Sequence, residues 1–466
     1  MNFYNLPKHI ILISEIVKTK KQKLIMLFCV ISTLAMNPLK AQDTLKVSLD
    51  KAIEIALSEN PTIKVADKEI QRVTYSAKER KGGLFPNVSL TGAYQRALKK
   101  QKMFFSFPGM PSNPDGIEVG QDNTFNTTLS ASLPIVAPSL WATIKMSEIE
   151  LEMSEESARS SKIAMYNQVK KAYYGILMAQ DSYNVILKSQ KNSEENARII
   201  LNRYKQGTVS EYEWIRADVQ ARNSMSNVVT AENAVNLSKL QLKMLMGVDM
   251  YTEVEVEGRL SDFEATMYDN VMKIGATNLE NNSDLKQLEI QQKQMDQNEK
   301  IHIASLLPTL AASFNYQYMS MVNDSVTFTN QHIWFPTSTL SIQLSVPLFQ
   351  GGAKYNKSKQ IKIQKVEMEL QRENLQRSIE LQTVSSLNNI KNALKKIESN
   401  KEGLRQSEKA LDISKKMYEV GMATYLDLNN TDLAYINAGL AYNQSIYEYL
   451  SAKADLEKLL GKEFQN

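Results

Sequence analysis

A single cysteine, Cys29, stands in the 466 residues, together with three histidines. Cys29 falls within an N-terminal leader, so the rest of the sequence has no thiol. Disulfides, thiolate metal sites and cysteine nucleophiles are thereby excluded from it. Phe28, directly before Cys29, is too large for a lipid-anchor motif. His302 and His332 are isolated histidines with no second histidine near either, so no metal site is expected. Met103, Met110, Met319 and Met321 read as gap-fillers and loop residues rather than soft-metal ligands. Gly-rich phosphate loops, nucleophile elbows and Ser/His/Asp arrangements are all missing, which argues against an enzyme, and no cofactor is expected. There is no run of 18 apolar residues, hence no candidate membrane-spanning helix.

Basic excess is lacking too once the leader is set aside. The formal net charge is +4, but residues 1–41 hold six lysines and one glutamate, and without them it is near −1. Nucleic acid is therefore not an expected partner. Lys18, Lys20, Lys21 and Lys23 precede an apolar stretch at 24–36, and Ala41-Gln42 is a suitable cleavage point. Residues 1–41 are read as a signal peptide. Export without a spanning helix leaves three expectations: periplasmic, secreted, or a β-barrel of an outer membrane.

What the sequence does have is a duplication. Arg203-Tyr204-Lys205-Gln206-Gly207 is matched 214 residues later by Met417-Tyr418-Glu419-Val420-Gly421. The offset holds through Asp218/Asp432, Asn223/Asn437, Lys239/Lys453 and Leu242/Leu456 to Gly247/Gly461. Upstream, Leu84-Phe85-Pro86 is matched by Leu306-Leu307-Pro308, and Ser132-Leu133-Pro134 by Ser345-Val346-Pro347. A constant offset means one uninterrupted element in each copy. The expected organisation is a first repeat at 42–247, a linker at 248–261 and a second repeat at 262–466.

Each repeat opens with a shorter helical segment, 48–81 or 262–305. A strand pair follows, at about 84–94 and 125–134, then at about 306–318 and 338–347. Alternation is strict: Val88, Leu90, Gly92 and Tyr94 against Ser89, Thr91 and Ala93; Leu340, Ile342, Leu344 and Val346 against Thr339, Ser341, Gln343 and Ser345. Runs of about ten residues with period two have the length of bilayer-crossing β-strands. Tyr94, Tyr316, Tyr318, Trp334 and Phe335 sit at strand ends, where interfacial aromatics belong. Polar loops join each pair and are expected on the outer face. A soluble β-sandwich is the rival reading, weakened by having only four strands.

Proline is absent from 139–206 and 353–420, and each stretch has one glycine, Gly175 or Gly403. Each segment of 68 residues reads as a helix of about 100 Å. Return helices end at Gly247 and Gly461, giving helical hairpins at 139–247 and 353–461. Their apolar stripes are narrow, Ile163, Tyr166, Val169, Tyr173 and Ile176 in one case, which suits neighbours in a water-lined tube. Four strands leave open edges that lipid cannot satisfy, and single-chain barrels need at least eight strands. Three copies would supply twelve.

These features, with Ser345-Val346-Pro347-Leu348-Phe349-Gln350-Gly351-Gly352 and Tyr418-Glu419-Val420-Gly421-Met422-Ala423-Thr424-Tyr425-Leu426-Asp427, resemble the TolC-type outer-membrane efflux proteins over essentially the whole mature chain. The resemblance implies a mainly α fold with a membrane β-barrel. It implies a homotrimer closing a twelve-stranded barrel and a twelve-helix periplasmic tunnel, with the linker in an equatorial collar. It implies an exit duct for efflux or type I secretion, located in the outer membrane with a long periplasmic extension. The implied partners are outer-membrane lipid, a periplasmic adaptor (membrane fusion protein) and an inner-membrane transporter of resistance-nodulation-division or ABC type.

The resemblance also places the site residues. Gln206, Gly207, Thr208, Val420, Gly421 and Met422 are the implied adaptor-docking tips. Asp427 matches the first acidic gate position, six after the second glycine. Asn430 stands where the family has a second acid. Glu213 is the first-copy counterpart of Asp427. The family's basic latch residue is replaced by Ala423, so a looser latch of Tyr418 with Glu213 is expected. The alternatives are a periplasmic adaptor, which would carry one hairpin flanked by lipoyl-like β segments, or a structural helical-hairpin protein such as a toxin or filament component.

Overall fold

The computed structural model describes residues 45–104, 115–267, 279–323 and 334–463. The expected leader, Cys29, Met110, His332 and the middles of both strand-joining loops lie outside the described residues. Two units are distinguished. In the small one, residues 45–46 and 251–255 are described, and Leu45 N–H donates to the Glu253 carbonyl at 2.8 Å.

In chain order the elements are β1 (Leu45–Val47), α1 (Leu49–Glu59), α2 (Pro61–Gly82), β2 (Asn87–Arg96), β3 (Gln101–Met103), β4 (Ile117–Val119), β5 (Asn123–Val136), α3 (Pro138–Lys205) and α4 (Glu211–Met246). There follow β6 (Val254–Val256), a 3-10 turn (Leu260–Thr266), α5 (Ser283–Ala304), β7 (Thr309–Val322), β8 (Trp334–Ser345), α6 (Ala353–Glu419) and α7 (Tyr425–Leu459).

In the large unit α3 pairs with α4 and α6 with α7 as two hairpins, and α3 packs on α7 to join them. Ile163, Val169, Tyr173 and Ile176 of the expected stripe are buried, while Tyr166 is half-buried. Ile446, Tyr449, Leu450 and Leu456 of α7 are also buried. Removing such side chains from water contributes about 2 kcal/mol each. The Tyr173 hydroxyl is tied down, donating to the Glu257 carbonyl at 2.6 Å.

The roots of the hairpins repeat in detail. Asn60 caps α2 through a 2.8 Å bond from Thr62 N–H and donates to the Leu245 carbonyl at 2.8 Å. Asn282 caps α5 through Asp284 N–H at 3.0 Å and donates to the Leu459 carbonyl at 2.8 Å. Local chemistry also corrects the helix limits. The segment at 48–81 is two helices, because Asn60 adopts an extended conformation before Pro61, which has no N–H to continue the first helix. Of 262–305, a 3-10 turn covers Leu260–Thr266, residues 268–278 lie outside the described residues, and α5 runs from Ser283, where Asn282 supplies the cap.

Four strands form an antiparallel sheet in the order β2-β5-β7-β8, so the two repeats meet at β5 and β7. Register separates its faces. Val88, Leu90 and Tyr94 lie opposite Ala131, Leu129 and Phe125; these lie opposite Phe314, Tyr316 and Ser320; Phe314 and Ala312 lie opposite Leu340 and Ile342. The other face carries Ser89 and Thr91, Ser130, Thr128 and Asn126, Asn315 and Gln317, Thr339 and Thr337. At the loop end of the apolar face an aromatic row crosses the sheet. Tyr94–Phe125 ring centroids are 5.0 Å apart, Phe125–Trp334 6.4 Å, and Trp334 stacks on Tyr318 at 5.4 Å. The outer edges of β2 and β8 have no strand partner among the described residues. One chain therefore makes an open sheet and does not by itself contain the expected twelve-stranded barrel. A short ribbon, β3–β4, continues beyond β2 and β5.

Candidate functional site

Both hairpins turn the same way. α3 ends with Gly207 N–H donating to the Tyr204 carbonyl (2.9 Å) and Thr208 N–H to the Arg203 carbonyl (2.9 Å). α6 ends with Gly421 N–H on Tyr418 (3.2 Å) and Met422 N–H on Met417 (2.8 Å). This double closure needs a left-handed residue, and Gly207 and Gly421 supply it with φ of 75° and 79°. A Cβ at either glycine would meet nothing within 4 Å, so the turns are open to an approaching surface. Gln206, Thr208, Val420 and Met422 are exposed around them, Val420 at 70% and Met422 at 75%.

The next helices start with matching caps. The Ser210 hydroxyl accepts from Glu213 N–H at 3.3 Å, and the Thr424 hydroxyl from Asp427 N–H at 3.2 Å. Asp427 answers with a carboxylate oxygen that accepts Thr424 N–H at 3.0 Å and the Thr424 hydroxyl at 2.6 Å. The Thr424 hydroxyl and then its N–H hold the Asp427 carboxyl below the usual carboxylate range. Asp427 thus caps α7 while staying exposed and ionised. Asn430 is exposed one turn on. The Ser/Thr-x-x-Glu/Asp spacing was a readable cap signature at both tips that a gate reading passes over.

Tyr418 lies inward. It is 7% exposed, in an apolar cluster with Ile200, Ala217, Leu411, Tyr425, Leu428 and Tyr435. Its hydroxyl meets no hydrogen-bond partner among the described residues, so Tyr418 and Glu213 are not bonded within the chain. Burial raises the Tyr418 phenol above its ordinary value. The residue that does link the hairpins at this level is Arg203. Its guanidinium lies 5.2 Å from the Tyr418 ring centre and donates to the Glu419 carbonyl at 3.0 Å. The signal was an unmatched charge, since Arg203 faces Met417 in the duplicated motif. Beside it, Asn192, Lys415, Tyr418 and Leu428 line a cavity of about 260 Å³, with Lys415 Nζ donating to Asn192 Oδ1 at 2.9 Å.

The two turns, open and with exposed rims, lie at the ends of α3 and α6 away from the sheet. A family model described as outer membrane efflux protein matches the chain twice, at residues 52–248 and 276–462. The chain belongs to that family. The two matches correspond to the duplication. Outer membrane protein TolC of Vibrio cholerae is 20% identical over 395 residues, covering 85% of each chain. The alkaline protease secretion protein AprF of Pseudomonas aeruginosa is 21% identical over 353 residues, 73% of this chain and 70% of that protein. Among solved structures, the outer membrane channel CmeC of Campylobacter jejuni shares the fold with a TM-score of 0.69 at 18% identity, over 89% of this chain and 85% of that one. As a member of the family this is an outer-membrane efflux protein, and its long helical hairpins are the periplasmic part.

Proposed function

We propose that three copies of this chain form an exit duct, closing a twelve-stranded barrel in the outer membrane and a twelve-helix tunnel in the periplasm. The observation that carries this is the sheet. Its apolar face ends in an aromatic row, its opposite face is hydroxyl and amide, and both edges are unpaired. In a bilayer those edges would each leave backbone groups unsatisfied at several kcal/mol per group, which a neighbour's edge removes. The apolar face then meets lipid and the polar face water. Exposed apolar residues on α4 (Ile215, Val219, Met225, Val229) and α6 (Ile363, Val366, Leu370, Val384) fit helix contacts between copies.

Conduction in such a duct is passive. Energy and cargo come from an inner-membrane transporter of resistance-nodulation-division or ABC type through a periplasmic adaptor. The adaptor docks at Gln206, Gly207, Thr208, Val420, Gly421 and Met422. The gate is a ring of Asp427 carboxylates with Asn430 above it. Tyr418 and Glu213 of the neighbouring hairpin are the latch, which requires the tip to rearrange because the Tyr418 hydroxyl is buried and has no hydrogen-bond partner among the described residues of the single chain. AprF is by name a secretion protein and CmeC a channel, which supports a duct whose cargo is set by its partners.

Light scattering of the detergent-purified protein is expected to give the mass of three chains. A monomer soluble without detergent would end the barrel reading. In planar bilayers, Tyr418→Phe and Glu213→Gln are expected to raise the open probability of the trimer; unchanged traces would remove the latch.

A further inference from the structure

Arg96 is the one charged residue in the four strands of the large sheet. Register puts it on the apolar face, opposite Asn123 and two residues beyond Tyr94. Since Tyr94 belongs to the aromatic row, Arg96 stands about 7 Å further toward the loops. On a lipid-facing wall the aromatic row marks the water boundary, and a guanidinium beyond it lies among headgroups.

Lys99, Lys100 and Lys102 follow directly. Lys100 is engaged in the fold, 3.3 Å from Asp122 and 2.9 Å from Asn323 Oδ1. Arg96, Lys99 and Lys102 are exposed and have no ion-pair partner among the described residues. Glu118 lies across the ribbon from Lys102 and Asp115 stands at the ribbon's other end, two carboxylates against three cations. Large apolar side chains project among these charges: Leu98 is 92% exposed and Phe104 69%. A solvated loop gives no account of a leucine and a phenylalanine held outward. Cations interleaved with apolar side chains are the composition of a segment at a membrane interface.

We propose that Arg96, Lys99 and Lys102 form a cationic ledge that binds the anionic, phosphate-bearing headgroups of outer-leaflet lipid, with Leu98 and Phe104 entering the boundary below them. The inference rests on the lipid-facing reading of the sheet. Arg96 supplies a planar fork that two phosphate oxygens can accept from, and the lysines supply point charges. Free phosphate would use the cations and leave the two apolar side chains without purpose; a lipid uses both.

Trp334 reports on this level, because it belongs to the same aromatic row. The chain has three tryptophans, so a Trp141→Phe/Trp214→Phe background isolates it. The trimer is reconstituted in phosphatidylcholine vesicles containing either spin-labelled phosphatidylcholine or spin-labelled phosphatidylglycerol. Phosphatidylglycerol is expected to quench Trp334 about twofold or more strongly at low ionic strength, with the preference lost in high salt. Arg96→Gln/Lys99→Gln/Lys102→Gln is expected to abolish the preference while leaving trimer mass and phosphatidylcholine quenching unchanged. Equal quenching by both lipids in the parent, or a preference that survives the triple change, overturns the ledge. Absence of quenching by either lipid overturns the lipid-facing reading itself, a distinguishable result. Native mass spectrometry of the protein with all its tryptophans gives the same comparison, as phosphatidylglycerol retained per trimer with and without the triple change.

Discussion

Asp432 is 6% exposed, and its two carboxylate oxygens fare differently. One accepts the Ser189 hydroxyl; Oδ1 has no partner among the described residues, and neither does the buried Nδ2 of Asn192 nearby. Burial pushes the Asp432 carboxyl up, against the opposing pull of Ser189, Asn192 and the Lys415 ammonium. A carboxyl raised in the folded state binds its proton there more tightly than in the unfolded chain. Its contribution to stability is thus greatest below the ordinary aspartate range and is lost as pH rises through the folded value. Asp432→Asn is expected to remove that loss and stabilise the seam between α3 and α7 by about 1 kcal/mol at pH 7. At pH 4 the gain should shrink toward zero. Thermal unfolding of the detergent-solubilised protein at the two pH values checks this, and a gain equal at both would show that charge is not the cause. The counterpart Asp218 is half-buried and pairs with Arg222 at 2.7 Å. Sequence symmetry made the two aspartates equivalent, and only the packing of α3 on α7 sets one of them apart.

At the scale of elements, the duplicated glycines serve two purposes that the sequence could not separate. All four end a helix in the left-handed region, a conformation that costs a side chain about 1 kcal/mol or more. The tip glycines are otherwise in open space, whereas a Cβ on Gly461 would lie 1.9 Å from the Asn281 carbonyl oxygen. Gly421→Ala is therefore expected to cost about 1 kcal/mol and leave the fold intact. Gly461→Ala should cost several times more, by forcing the α7 root away from the residues that lead into α5. Comparative denaturation of the two variants decides; equal losses would mean that the close approach at the root is unimportant. The long helices were legible to within a residue of their ends, because 68 residues without proline and two closing glycines leave little else for the chain to do. The strands were legible from their alternation but reach further toward the loops, β7 to Val322 and β8 from Trp334, since paired neighbours extend a ladder beyond its apolar pattern. β3, β4 and β6 have three residues each, too few for any period to show.

For the whole molecule, the decisive contrast is between neighbours on one strand. Leu340 and Thr339 of β8 are both exposed in a single chain, Leu340 at 74%. If the open sheet were the working form in water, a charge at either position would be harmless, and at Leu340 it would replace an exposed apolar side chain. Assembly reverses this. Leu340 lies opposite Phe314 on the apolar face, near mid-strand, and Thr339 opposite Asn315 on the polar face; in the proposed trimer the first meets lipid and the second water. Leu340→Arg is then expected to destabilise the barrel by about 2–4 kcal/mol, the penalty for arginine on the lipid face near the midplane. Thr339→Arg is expected to leave stability nearly unchanged and instead to shift the ion preference of the open channel toward anions, because its charge enters the water path. Heat dissociation of the trimer in lipid, read together with reversal potentials in a salt gradient, separates the two. Equal stability of both variants would mean that neither face meets lipid. Loss of stability in Thr339→Arg alone would mean that the faces are assigned the wrong way round. The contrast depends on one step in register, so it tests the strand pairing, the barrel and the duct together.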